Sequence, residues 1–331
     1  MMPCIGKAQI MQRLLNVETD TAYVSEHDRD LTIRPFVERS FNQFNFINTR
    51  IGERFTYQPN GTLQAGLGVS YRIIGVGLGF AIPGVNRYNQ YGKSKITDFS
   101  THFYLRRFNV DVFYQYYGGQ HLKNPSEELA NYNADAAYIR EDIYTKALGA
   151  GVQFIAKPKT FSMEPFSFVH YQKKAAGSFI AGVQIIRTGI YGDSSLLPLN
   201  VQQPELLNGF PLIKSLSYNV TVNGGYAYTY VYRRHLFITA ALNLGAGVSM
   251  ATMYGTGERD KLRGAGLQVN ALYRVLTGYN SEYFFAGLQF TGYSGYQATP
   301  LANVKQQYNI GRLNFTVAKR FKMKKKLLGF Y

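Results

Sequence analysis

The stretch KSLSYNVTVNGGYAYTYVYRRHLFITAALNLGAGVSMATMY, residues 214–254, alternates between large apolar and polar or small side chains along almost its whole length. Leu216 and Tyr218 begin one series, and Ser217 begins the other. After a polar break at residues 233–235, the alternation restarts at Leu236. A period of two residues is typical of a β-strand, because successive side chains point to opposite faces. The stretch therefore predicts a hairpin of two long strands with one apolar and one polar face.

The length of this hairpin favours a membrane protein. Each arm has about twenty residues, whereas an ordinary globular strand has roughly five or six and a tilted transmembrane strand needs about 9–11. The sequence has no run of about 20 apolar residues, which a membrane helix would need. Without helices, only a closed barrel crosses lipid with its backbone groups paired. The rival interpretation is a soluble sandwich that buries its bulky face against a second sheet.

The same alternation recurs along the chain and predicts an all-β fold, a transmembrane antiparallel β-barrel of about twelve strands of the outer-membrane type, with fourteen as the alternative. The 27 Tyr and 23 Phe residues fit aromatic girdles at the two membrane interfaces. One strand is expected within residues 42–57, and residues 31–37 form either a further strand or an interior segment. Long extracellular loops are expected at residues 83–94, 118–143 and 190–213, with residues 157–176 as a periplasmic connection.

These patterns divide the chain into four parts. They are a residual signal-peptide end (1–8), a periplasmic N-terminal leader (9–41), the transmembrane barrel (42–321) and a basic C-terminal tail (322–331). Cys4, the single cysteine, belongs either to that signal-peptide end or to a lipid anchor.

The composition argues against several functional classes. The formal net charge is +16, but the basic residues lie mostly in breaks between strands, so no nucleic-acid partner is expected. Only five histidines are present, and none is spaced with another ligand as in a metal site. The sequence therefore predicts no metal and no cofactor.

A hydrolytic site is the one enzymatic alternative. The sequence Gly192-Asp193-Ser194 is similar to the Gly-Asp-Ser of some lipid acyl hydrolases, in which a serine needs a histidine base. In that alternative Ser194, Asp193 and His170 are the catalytic residues. The competing interpretation is a turn at the start of a loop, and we favour it.

The alternation also assigns polar residues to the barrel interior. The predicted lumen-lining residues are Asp98, Arg106, Asp111, Arg263, Gln268, Asn270, Arg274, Arg312, Asn314 and Arg320. They could line a pore that prefers anions, or form internal ion pairs that fill a narrow barrel. A second basic set is predicted at the periplasmic rim, and it comprises Arg107, Lys157, Lys159, Lys173, Lys174, Arg233, Arg234 and Lys324.

Several segments resemble a known family. They are residues 55–60 (FTYQPN), 68–72 (GVSYR), 161–178, 193–198 (DSSLLP) and 318–321 (AKRF). Over most of the chain from about Asp28 onward, the sequence resembles an uncharacterised family of Bacteroidetes outer-membrane β-barrels, classed as a domain of unknown function. The resemblance implies an outer-membrane barrel from a Gram-negative Bacteroidetes source, and it supplies no activity or catalytic residues to carry over.

These observations together predict a porin-like passive pore or a solute-binding transporter with an arginine-rich lumen, located in the cell outer membrane. The alternatives are an outer-membrane lipid hydrolase or acyltransferase, and a structural barrel that docks a periplasmic partner. The expected partners are outer-membrane lipid, an anionic solute and the barrel-assembly machinery, which commonly recognises a terminal aromatic residue such as Phe321.

Overall fold

The computed structural model describes residues 17–26, 30–61, 63–71, 74–82, 85, 88–104, 106–123, 125, 129, 137–163, 170–198, 202, 204–257 and 260–323. The predicted signal-peptide end with Cys4, the leader up to residue 16, and Lys324 with the tail that follows lie outside the described residues. Within the described part, no helix is both long and apolar enough to cross a membrane.

Fifteen strands make up nearly all of the described structure. They are β1 (Val24–Glu26), β2 (Asp30–Asn48), β3 (Glu53–Pro59), β4 (Leu63–Tyr71), β5 (Ile74–Ala81), β6 (Lys95–Tyr104), β7 (Phe108–Leu122), β8 (Ile139–Ile155), β9 (His170–Gln172), β10 (Ala176–Tyr191), β11 (Leu212–Tyr232), β12 (Leu236–Gly255), β13 (Lys261–Asn280), β14 (Phe284–Ala298) and β15 (Val304–Lys322). A one-turn helix, α1 (Tyr88–Tyr91), and a 3-10 turn at Pro204–Leu207 lie in the connections.

Ten antiparallel strands close into a barrel. The ring runs β2-β3-β7-β8-β10-β11-β12-β13-β14-β15 and returns to β2. The other members of the sheet, β4, β5 and β6, lie outside this ring, because β4 and β5 extend from β2 while β6 pairs with β7. The predicted counts of twelve and fourteen are therefore not confirmed. The ladder forks because β2 pairs with β3 near one end and with β4 near the other.

The barrel has two dissimilar ends. We call one the loop end, because it carries the longer connections at residues 82–94, 123–138 and 192–211. The opposite, turn end carries short turns such as residues 233–235 and 281–283, together with the connection at residues 156–175. In this connection the short strand β9 pairs with β1.

The long hairpin forms as predicted. β11 and β12 pair from Leu212 opposite Gly255 to Tyr232 opposite Leu236. Residues of one series, such as Val222 and Leu244, are 67% and 60% exposed, while residues of the other series are mostly buried toward the lumen. The exposed apolar side chains of all the long strands form a continuous outer band, which we call the apolar belt.

The single strand predicted within residues 42–57 is wrong. β2 ends at Asn48, a turn follows at residues 49–52, and β3 begins at Glu53. Gly52 has a φ of 75°, which favours glycine because other residues clash there. Residues 31–37 belong to the first half of β2, so the barrel wall starts at Asp30 rather than at Asn42.

Candidate functional site

The lumen is crossed by direct bonds between walls. Arg274 of β13 and Asp111 of β7 stand five strands apart in either direction around the ring of ten, so they lie on opposite walls. Their side chains nevertheless meet, with Arg274 Nη2 2.6 Å from Asp111 Oδ2. A barrel bridged by one ion pair has no room for a wide channel at that level.

A second charged group joins side chains of β2, β6 and β15. Arg312 Nη2 is 2.8 Å from Asp98 Oδ1, and its Nε is 3.8 Å from Glu38 Oε2. Asp98 Oδ2 also accepts hydrogen bonds from Tyr117 at 2.8 Å and from Gln115 at 3.1 Å. Both carboxylates therefore have a cationic neighbour, and Arg312 is used in internal pairing.

Uncharged side chains cross the lumen on the loop-end side of Arg274 and Arg312. Ser215 of β11 donates to Gln306 of β15 at 2.7 Å, four strands away around the ring. Asn270 of β13 donates at 3.1 Å to Gln184 of β10, three strands away. These bonds span the lumen, so they hold the walls close together and leave the interior packed.

Apolar side chains close both ends of this polar interior. At the turn end, Phe161 and Met163 of the 156–175 connection are fully or almost fully buried and pack with Ile155, Phe237 and Phe285 from the walls. The loop end is closed by residues from its connections and strand ends, and the buried set includes Phe44, Phe46, Leu129, Leu196, Leu206, Leu207 and Leu301. Within the described residues, apolar clusters therefore cover the lumen at both ends.

The wall itself has one discontinuity among the described residues. β5 pairs there with β4 alone, and β6 pairs with β7 alone. We call the break in pairing between the two strands the β5–β6 seam. Nearer the loop end, β3 joins β7 through residues 57–59, and the seam lies between that junction and the turn end. Strand edges in lipid leave N–H and C=O groups unpaired, at several kcal/mol for each group.

A groove of about 600 Å³ lies on the wall beside this seam. Its apolar lining includes Leu67, Leu78 and Phe80, which are 56%, 67% and 73% exposed. On the inner side of the same wall, a Cβ on Gly66 would lie 2.3 Å from Phe36 Cζ. Only glycine permits this close approach, so the Phe36 ring packs directly against the backbone of β4.

The structure brings together most of the residues predicted to line the lumen. Asp98, Asp111, Gln268, Asn270, Arg274, Arg312 and Asn314 all point inward and take part in the bonds of the interior. Glu38 was missed because it falls in the segment predicted to be a leader. It accepts a hydrogen bond from Asn314 at 3.1 Å and faces Arg312.

Three of the predicted lumen arginines lie elsewhere. Arg263 is exposed on the outer face of β13. It lies an even number of residues from the outward Leu267 and an odd number from the inward Arg274, so it shares the face of Leu267. Arg106 lies at the turn end, where it donates to the Pro158 carbonyl. Arg320 is buried at the same end and donates to the Ser281 carbonyl and to Asn280 Oδ1.

The predicted basic rim lies at the turn end wherever it is described. Exposed side chains are those of Lys157, Lys159, Lys174, Arg233 and Arg234, whereas Arg107 and Lys173 are partly covered. Lys173 Nζ donates to the Thr21 carbonyl at 3.1 Å, so part of this charge anchors the segment that precedes β2.

The three residues of the hydrolytic alternative are not brought together. Asp193 and Ser194 lie at the loop end, whereas the backbone of His170 lies in β9 at the turn end, and the whole of β10 separates them. Ser194 Oγ accepts a hydrogen bond from Arg140 at 2.9 Å. No described group of acidic, histidine and cysteine side chains is arranged to hold a metal ion.

The loop that contains Ser194 is fixed by a pair beyond the apolar belt. Arg140 makes two hydrogen bonds of 2.7 Å to Asp142 and one of 2.9 Å to the Ser195 carbonyl. The hydrogen bonds from Arg140 hold the pKa of Asp142 below its usual range. The geometry is therefore that of a structural clamp for residues 192–198.

The chain is similar in fold to solved outer-membrane proteins. The outer-membrane protease OmpT of Escherichia coli is 9% identical, with a TM-score of 0.42 over 90% of this chain and 98% of that one. An outer-membrane channel of Pseudomonas putida F1 is 8% identical, with a TM-score of 0.29 over 92% and 100%. OprG of Pseudomonas aeruginosa is 8% identical, with a TM-score of 0.26 over 90% and 99%.

No curated protein matches the sequence. The family model DUF4421, described as a domain of unknown function, matches residues 18–321. The chain therefore belongs to the DUF4421 family.

Proposed function

We propose that this member of the DUF4421 family is a solute-binding transporter of the Gram-negative outer membrane that admits an amphiphile through the side of its wall. The observation that carries the proposal is the β5–β6 seam, where the structure pairs no described residue of β5 with β6, beside an apolar groove. The apolar belt and the length of the strands support the membrane location, because lipid would cover the exposed side chains.

The closed lumen argues against a passive pore. A pore needs a continuous aqueous path, but here the Arg274–Asp111 pair joins opposite walls and apolar clusters cover both ends. The anion preference predicted from inward arginines also loses its basis, since Arg274 and Arg312 are both paired with carboxylates. A solute that uses this barrel needs another route.

The seam offers that route. If β5 and β6 pair, the wall becomes β2-β4-β5-β6-β7-β8-β10-β11-β12-β13-β14-β15, which has twelve strands, and the edge groups no longer face lipid unpaired. We propose that the seam alternates between this closed wall and the open arrangement described here.

The groove indicates the class of solute. It is an open depression on the outer faces of β4 and β5, so a solute there would lie along the wall. The lining on the lipid side is apolar, whereas the polar cluster of Asp98, Arg312 and Ser40 lies on the luminal side. This arrangement suits a single-chain amphiphile whose tail lies against Leu78 and Phe80 while its polar head exchanges hydrogen bonds inside.

The other functions stay outside this proposal. The hydrolase loses support because Ser194 is bonded to Arg140 and lies at the end of the barrel opposite β9. Docking of a periplasmic partner on the basic rim stays a prediction, as do the Bacteroidetes source, the signal peptide and recognition by the barrel-assembly machinery.

A paired transport assay tests the proposal. Purified protein is reconstituted into vesicles, and the transfer of a lysophospholipid with a fluorescent acyl chain is compared with swelling in a small neutral sugar. We expect protein-dependent transfer of the lysophospholipid and no swelling. Rapid swelling without lysophospholipid transfer would restore the passive pore.

A further inference from the structure

A row of lysine and tyrosine side chains crosses the outer face of the barrel near its loop end. Tyr144, Tyr191, Lys214, Tyr254 and Lys261 are direct cross-strand neighbours on β8, β10, β11, β12 and β13. Adjacent strands lie about 4.8 Å apart, so the five residues form a continuous line. With Lys146 and Tyr116, which lie beside Tyr144, we call this line the Lys–Tyr row.

The amines of the row lie against aromatic rings. Lys214 Nζ is 4.8 Å from the ring centre of Tyr254 and 5.3 Å from that of Tyr191. Lys261 Nζ is 5.1 Å from the Tyr254 ring, and Lys146 Nζ is 5.2 Å from the Tyr144 ring. The rings of Tyr144 and Tyr191 stack at 4.7 Å. The rings position the amines without neutralising their charge.

Three of the described acidic residues near the row are engaged elsewhere, and a fourth, Glu141 of β8, is exposed. Asp142 is bound to Arg140, the carboxylate of Asp193 lies 3.9 Å from the same guanidinium, and Asp260 accepts from the backbone N–H of Gly257. Among the described residues, the structure pairs none of the three lysines with a carboxylate. The row therefore keeps a net positive charge.

The position of the row points to lipid headgroups. On β8, Lys146 comes two residues before Leu148 of the apolar belt, and on β13 Lys261 comes six residues before Leu267. Aromatic girdles in barrels lie at the membrane interface, so the amines reach the level of the headgroups. Arg187, over the Tyr218 ring at 5.4 Å, and the exposed Arg263 widen the cationic surface.

We infer that the Lys–Tyr row binds the phosphate groups of a phosphorylated glycolipid, such as lipid A, in the leaflet that surrounds the loop end. Ammonium groups bind phosphate by charge-assisted hydrogen bonds, and each lysine near a membrane surface contributes about 1 kcal/mol toward anionic lipid. The inference rests on the proposed outer-membrane location, and it names a lipid partner at the end opposite to the predicted basic rim.

The test compares two triple variants with matched chemistry. One changes Lys146, Lys214 and Lys261 to Gln. The control changes Lys174, Lys319 and Lys322 to Gln. These lysines lie at the turn end, over the rings of Tyr23, Phe321 and Tyr283 respectively. Both variants lose three charges, and the lysines changed in each lie over aromatic rings, with six such contacts among the described residues at the loop end and three in the control.

Binding of bisphosphorylated lipid A to detergent-solubilised protein is titrated by native mass spectrometry. We expect the loop-end variant to bind at least about tenfold more weakly and the control variant to bind like the unmodified protein. Dephosphorylated lipid A should bind weakly to all three proteins, and millimolar inorganic phosphate should not displace lipid A.

The inference would be overturned if both variants weakened lipid A binding equally. It would also be overturned if dephosphorylated lipid A bound the unmodified protein as tightly as bisphosphorylated lipid A. Displacement by inorganic phosphate would point to a site for the free anion and would also overturn it. Insertion into vesicles and transfer of the lysophospholipid are measured in parallel. If the unmodified protein fails to insert or to transfer the lysophospholipid, the proposed function is wrong. If it succeeds in both assays but the loop-end variant binds lipid A as the unmodified protein does, only this inference is wrong.

Discussion

Arg274 and Asp111 join opposite walls of the barrel, with 2.6 Å between Nη2 and Oδ2. Arg274 is 5% exposed, so both charges lie in the packed interior. Removing one partner of a buried pair leaves an uncompensated charge and typically costs about 3–5 kcal/mol, whereas replacing both can be nearly neutral.

We therefore expect Arg274→Met and Asp111→Leu each to destabilise the folded barrel strongly, and the double variant to recover much of the loss. Unfolding titrations in vesicles measure the four free energies of this cycle. Additive single losses would show that the two side chains do not depend on each other.

The proposed membrane placement of β12 is tested by arginine substitutions at two depths along its outer face. Leu244 is 60% exposed near the middle of the strand, and Leu236 is 47% exposed at its turn end. Arginine costs roughly 2–4 kcal/mol at the bilayer midplane and about 0–1 kcal/mol near the interface. We expect Leu244→Arg to be the more destabilising variant in vesicle-based unfolding, and equal costs would contradict the membrane placement.

Asn243 faces the packed interior of the barrel. A hydrated lumen would tolerate arginine at this inward position. The side chain is 2% exposed, so an arginine there meets a filled interior. We expect Asn243→Arg to be destabilising as well, through overpacking rather than through contact with lipid.

The sequence pattern predicted the facing of most side chains but not their partners. Period-two alternation identified β11 and β12 because one side of each strand is apolar and exposed whereas the other is polar or small and mostly buried. It failed within residues 42–57, where Phe44, Asn45 and Phe46 are all buried and no alternation exists. The Arg274–Asp111 contact joins residues 163 positions apart, and the spacing of residues within one strand carries no information about the opposite wall.

The clamp at the loop end gives a pH prediction. Because Arg140 lowers the folded-state pKa of Asp142, the clamp contributes stability above the unfolded pKa of about 3.9, and this contribution is lost as pH falls through the lowered folded value. We expect residues 192–198 to resist proteolysis at neutral pH and Asp142→Asn to be cleaved there readily. Equal protection of both proteins would contradict the clamp.

The closed lumen predicts an electrical property. In planar bilayers we expect no steady porin-like conductance from the unmodified protein, because the ion pairs and end clusters interrupt any aqueous path. A stable conductance with anion preference would mean that Arg274 and Arg312 are not held in their pairs.

The most direct measurement is amphiphile transfer after the β5–β6 seam is locked. In a Cys4→Ser background, Phe80→Cys is combined in turn with Thr97→Cys, Phe99→Cys or Thr101→Cys, since a disulfide forms only when the Cα atoms approach within about 7 Å. The matched control is Val222→Cys with Ala246→Cys, a pair of direct neighbours within the intact β11–β12 ladder.

If the route passes through the wall, at least one seam pair should form a disulfide, and this disulfide should stop lysophospholipid transfer. Reduction of the disulfide should restore transfer. The control disulfide should have no effect on transfer. Undiminished transfer through a barrel with its seam locked, or a seam that never cross-links, would contradict the proposed route.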